Sequence, residues 1–160
     1  MLFIKPKLSA TDAGNMLITV ITDSEECALE SDALKNAFWR ECKCIRVVAT
    51  DFSVQATLRE SPEKAAQVLR AFYAALFTYV AANPKWQQVQ DVLPKRFLEH
   101  TQAIKAPLPP EASPFYNLSI SFMKAFGEEE FNPEIGFLGT VAYGETVIAV
   151  ASFLEKIKIT

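Results

Sequence analysis

The sequence predicts an α+β fold: an antiparallel or mixed sheet of about six or seven strands with two to three helices gathered on one face, in the order ββαββααβββ. Three features lead there. Residues 61–82 carry a strong helical period. Residues 52–59 and 116–122 alternate apolar and polar with a period of two. A proline-rich connector near 106–114 parts the helical middle from a strand-like final third. A single domain over 1–160 is expected, since a chain of this length can bury well over half of its unfolded surface.

Residues 2–8 alternate weakly, and Asn15 to Thr22 form a β-branched apolar run, so a hairpin turning through 9–15 is expected. Its second strand should be central, because both faces are apolar. Thr22-Asp23-Ser24-Glu25 can form a capping box, with Asp23 and Glu26 offering an overlapping one. A helix should follow to about Arg40, with Leu29, Ala33, Ala37 and Phe38 on one face. From Lys43 the pattern turns to strand. Ile45, Val47 and Val48 are followed by Phe52, Val54, Ala56 and Leu58, which alternate with Ser53, Gln55, Thr57 and Arg59. Asp51 would mark a bulge or a tight turn.

Ser61-Pro62-Glu63-Lys64 supplies a capping hydroxyl, a proline at the first helical position and an acid in the first turn. Ala65, Leu69, Phe72, Leu76 and Val80 recur at helical spacing, while the opposite side becomes Ala74, Ala75, Thr78 and Ala81. A helix that turns apolar all round is expected to be the buried centre of the fold. It should stop at Asn83, which precedes Pro84. Trp86, Val89, Leu93 and Phe97 continue with helical spacing, kinked or broken at Pro94, and a further short helix can run from Lys95 to Ile104. After the connector come strands: Tyr116, Leu118, Ile120 and Phe122 on one face, then Phe137 to Tyr143, a turn at Gly144-Glu145, and Thr146 to Ile159. That last segment also fits a helical period through Val147, Val150, Ala151, Leu154 and Ile157.

The net charge of −3 exerts no general pull toward nucleic acid or anionic membrane. It is uneven: −2 over 1–60, +3 over 61–106 and −4 over 107–160. No signal peptide is read at Met1-Leu2-Phe3-Ile4, which Lys5-Pro6-Lys7 follows at once, and the apolar runs fall short of about 18 residues. Cys27, Cys42 and Cys44 do not form a disulfide framework, which suggests a cytoplasmic or otherwise reducing location.

Signatures of chemistry are few. His100 is the only histidine, and it is expected at an exposed turn. It lacks a partnering nucleophile motif, so no catalytic residue is assigned. Cys42 and Cys44 would share one side of a strand, and three cysteines with one histidine lack the spacing of a zinc module, so a core role is preferred and neither metal nor cofactor is expected. Gly136-x-x-Gly139 has no following Lys-Ser/Thr and is not a phosphate loop. Glu128-Glu129-Glu130 lacks the alternating ligands of a calcium loop. Pro107 and Pro110 have PxxP spacing, which a structural crossover explains.

What is left is a non-enzymatic protein-binding domain: an assembly adaptor, a chaperone-like factor, or an inhibitor or immunity-type partner. Aromatics with cations favour interface centres, which points to Trp86, Lys95, Arg96 and His100 as the contact surface. A homo-oligomer through the edge of a C-terminal strand is a further expectation. Two alternatives follow from the same residues. One is an apolar-ligand binder or enzyme with a pocket lined by Phe115, Tyr116, Phe122, Phe126 and Phe137 together with Phe72, Tyr73 and Phe77. The other is weak nucleic-acid binding through Lys85, Lys95, Arg96 and Lys105 beside Trp86 and Phe97, which is too few cations for a real footprint.

Overall fold

A computed structural model describes residues 5–24, 32–127 and 132–160, the side chains of 32–34 excepted. Among these residues about 80% are helical, in six helices, and strand is confined to one two-stranded parallel pair. The expected six-to-seven-strand α+β fold is therefore corrected to an all-helical one.

The first helix, α1 (Ala10–Thr22), takes the place of the expected second strand. Ser9 caps it, its hydroxyl accepting from the Asp12 amide at 3.0 Å. Ala10, Ala13, Gly14, Leu17 and Ile21 are its buried residues, a helical spacing that overrides the β-branched residues among them. Asp23 is the C-cap of α1, its amide donating to the Thr19 carbonyl at 3.0 Å. Glu25, Glu26, Cys27 and Leu29 lie outside the described residues.

The second helix, α2 (Asp32–Thr57), is helical up to Arg40 as expected but runs on through all of the strand expected from Lys43. Every residue from Glu41 to Asp51 is buried. A helix buried all round shows no apolar stripe. With Glu41, Lys43 and Arg46 set among Cys42, Cys44 and Ile45, its sequence imitates the two-residue period of a strand. Cys42 and Cys44 are buried and not joined in a disulfide, two residues apart on a helix, and so do not share a side.

The third helix, α3 (Pro62–Ala82), matches its expected bounds, proline at its start and Asn83 at its end. Ser61 makes no side-chain cap hydrogen bond, contrary to expectation. Ala65, Val68, Phe72, Leu76 and Val80 are buried, but Ala74, Phe77, Thr78 and Ala81 are exposed. The continuous burial of Glu41 to Asp51 thus falls on α2, and α3 covers only one of its own faces.

Pro94 does not end the fourth helix, α4 (Pro84–Lys105). The carbonyl four residues back, at Gln90, belongs to an exposed residue, where water can satisfy it. Tyr116–Phe126 is helix α5, not a strand, and it closes on Gly127 at φ 101°, whose amide donates to the Met123 and Lys124 carbonyls. The last two expected strands merge into one helix, α6 (Pro133–Lys156), for 146–156 the alternative that the sequence allowed. Asn132 accepts the Ile135 amide at 3.3 Å, with Pro133 at the first helical position. Strand β1 (Lys7–Leu8) pairs in parallel with β2 (Lys158–Ile159). Apart from β2, the strands that offered an edge for self-association are helical.

The described chain falls into two compact units. The first comprises the chain up to Ser24, Ala49–Pro84 and Glu145–Thr160; the second takes α2 as far as Val48 together with Lys85–Gly144. In the first unit α1 packs on α3. A Cβ on Gly14 would come within 2.3 Å of the Val68 carbonyl oxygen and 2.6 Å of the Ala71 Cβ, so hydrogen is the only side chain this approach admits. The Tyr73 hydroxyl donates to Asp51 at 2.7 Å and Ser53 to the Val147 carbonyl at 3.1 Å. In the second unit Phe38 meets Phe122 and Phe126 edge to face, and Gly139 lets α6 lie against the Phe122 ring. The Arg46 guanidinium donates to the Ala142 carbonyl at 3.0 Å.

Gly14→Ala is expected to lower stability by about 2 kcal/mol, because overpacking against backbone outweighs the gain in helix propensity. Urea unfolding followed by circular dichroism checks this; an unchanged or raised midpoint would contradict the close approach.

Candidate functional site

Two features of the described residues have the makings of a site: a charged cluster inside the second unit and an uncovered apolar face on the first.

The cluster is built on Glu41, which the first part of α2 carries into the interior. Arg40 grips its Oε1 through Nε and Nη2 at 2.9 and 2.7 Å. Arg96, on α4, binds Oε2 through Nε at 2.7 Å. Arg96 also reaches Glu99 at 2.8 Å through Nη1 and the Ala125 carbonyl at 2.9 Å through Nη2, which ties α4 to α5. Burial works against the charge of Arg96, but Glu41 and Glu99 more than offset it and hold the guanidinium above its ordinary pKa. Burial, and then the Glu41 charge, push the Cys44 thiol well up, beyond what Arg96 and Arg40 pull back. A thiol so held is protonated and a poor nucleophile.

One turn along α4 from Arg96, His100 is fully buried, not at an exposed turn. Its Nδ1 is 2.9 Å from the Ser121 hydroxyl, and its Nε2 is buried with no hydrogen-bond partner. Burial foremost, then the Arg96 charge, lowers its pKa to about 4, against a smaller opposing pull from Glu99. It is therefore a neutral imidazole at pH 7. Among the described residues no group of three His, Cys, Asp or Glu side chains is placed to hold a metal ion.

The residues expected to form a contact surface are distributed differently. Trp86 is buried and meets Trp39 edge to face at 5.3 Å, with the Lys43 ammonium 5.8 Å from each ring centroid. Lys85 lies 4.3 Å over the Trp39 ring. Arg96 is spent on Glu41, and His100 is interior. Lys95 alone of the four projects outward, near Glu99 at 3.8 Å. Of the aromatics expected to line one pocket, Phe72 and Phe122 are fully buried core, whereas Phe77, Phe115, Tyr116 and Phe137 reach the surface. Glu41 was missed because an acid among cysteines and cations gives no sign from sequence of being the residue on which two arginines converge.

The uncovered face lies on α3. Ala74, Phe77, Thr78 and Ala81 share one side of that helix, with Phe77 55% exposed. Beside it, α1 and α3 form a shallow groove of about 590 Å³, walled by Ile18 and Tyr79, floored by Ala74, Ala75 and Ala82, and bordered by the amides Asn15 and Asn83. The signal was present in the sequence as the alanine-rich back of the helix, where it read as burial. Helices α3 and α6 are both long and apolar enough to cross a membrane by length and composition alone, yet only a third of the relevant window is buried in either.

The chain matches no protein-family model, no curated protein and no solved structure.

Proposed function

We propose that the protein is a helical interaction module that docks an apolar helix of another protein on the outer face of α3 and the adjoining α1/α3 groove. One observation carries this reading. Phe77 and its alanine neighbours leave a contiguous apolar strip in water, although the chain has ample polar residues to cover it. The floor of small side chains lets a helical backbone approach closely, and Phe77 supplies an aromatic anchor at the edge. The titratable groups offer a second support: Glu41, Arg40, Arg96 and Glu99 satisfy one another, which suits a scaffold better than a reacting centre.

The test is site-specific photocrosslinking. A benzophenone amino acid at position 77, with the exposed Glu60 as the control position, is irradiated in native lysate. The expected result is a discrete protein adduct at 77, absent at 60 and abolished by Ala74→Arg. Equal capture at the two positions, or adducts with lipid alone, would overturn the reading.

A further inference from the structure

The geometry points to a small-molecule pocket in the second unit, formed where the end of α4, the proline-rich connector and the start of α5 meet Tyr143 of α6, and suited to a flat, neutral, one- or two-ring compound bearing an acceptor oxygen. The cavity measures about 300 Å³ and is lined by Ile104, Leu108, Pro114, Phe115, Leu118 and Tyr143, with alanines between. An apolar cavity of about 150 Å³ already accommodates benzene, so one of this size has room for a second ring.

Its walls are preformed. The Asn117 side-chain amide donates to the carbonyls of Ala106 and Pro107 at 3.2 and 3.1 Å, clasping the connector to α5. Within the connector the Ala112 amide closes a turn onto the Pro109 carbonyl at 3.1 Å, and four prolines between 107 and 114 stiffen the rest. A wall that does not have to be ordered on binding spares that entropy.

Tyr143, 8% exposed, lines the cavity and brings a phenol to it. Burial raises its pKa, so the phenol is a neutral donor and not an anion. Phe115, 47% exposed, stands edge to face with the Tyr143 ring at 6.3 Å and forms the outer lip. A ligand with a carbonyl or ether oxygen accepts from the phenol in place of water while its rings replace water against the aliphatic walls. The site is separate from the α3 face, and its occupancy does not depend on that reading.

The probe is coumarin, which has two flat rings and one carbonyl, titrated into the ¹⁵N-labelled full chain. Chemical-shift changes are expected to concentrate at the Ile104 and Leu118 amides and the Asn117 side chain. Tyr143→Phe should raise the coumarin Kd about fivefold, the worth of one ordinary hydrogen bond. Ala103→Phe should abolish binding by filling the cavity. Leu108→Arg, on the exposed connector, should do the same without touching the core. No shifts at these three reporters at saturating coumarin would overturn the pocket. Equal affinity for the wild type and Tyr143→Phe would overturn the ligand class.

Discussion

Glu41→Ala is expected to cost about 3–5 kcal/mol of stability, a large share of what holds a domain of this size together. The reason is asymmetric. Arg40 is partly exposed and can turn to water once its partner is gone, but the Arg96 side chain is only 13% exposed and held by α5. Truncating the acid leaves that guanidinium with Glu99 and one carbonyl in place of a bidentate partner. Replacing both residues with apolar side chains of similar size, Glu41→Leu with Arg96→Met, removes the stranded charge along with the pair. The double variant should therefore lose at least about 1 kcal/mol less than the sum of the two single changes. Both tryptophans, Trp39 and Trp86, pack against each other in the same unit, so urea unfolding followed by their fluorescence reads the cluster directly. Strictly additive losses would show that Glu41 and Arg96 do not act as a pair.

The second large effect is in acid. The folded protein keeps His100 neutral down to about pH 4, whereas the unfolded chain takes up the proton near the ordinary value of 6.5. Between those limits the unfolded state binds more protons, so stability falls as pH falls through the window and levels off below it. The full shift corresponds to about 3 kcal/mol. Every other titrating group is common to the wild type and His100→Gln. The difference in the slope of stability against pH between the two isolates the imidazole. With a single histidine, its ring proton resonance is unambiguous and should begin to titrate only near pH 4. A midpoint near 6.5 with parallel stability curves would place the ring in water.

How the sequence spoke, and where it misled, follows from which faces each helix buries. The bounds of α3 were legible to the residue, because a proline and an acid at its start and a proline just past its end are signals that read locally. α2 was illegible for the opposite reason. With Glu41 to Asp51 buried on all sides, and its charged groups met by partners far along the chain such as Arg96 and the Ala142 carbonyl, no local pattern marks it as helix. β-branched runs in α1 and α6 added a strand signal that tertiary packing overrode. Glycine misled as well: Gly144 reads as a turn but lies inside α6, whereas Gly14 and Gly139 mark close helix approaches. The contact-surface residues failed similarly. Tryptophan and arginine favour interfaces, but they serve equally well where one helix of a domain meets another, and Trp86 and Arg96 do that here. The outer strip of α3 was visible only in part, as Ala74, Ala75, Thr78 and Ala81, whose exposure was misjudged, while Phe77 was read with the buried aromatics.

Thiol labelling decides between an α3 that is interior and one that displays an apolar face. In a Cys27→Ser background, Phe77→Cys should react with a thiol reagent at the rate of a free peptide, while Cys42 and Cys44 stay silent until the chain unfolds. Protection of the new cysteine at 77 together with ready labelling of Cys42 or Cys44 in the native protein would contradict the account.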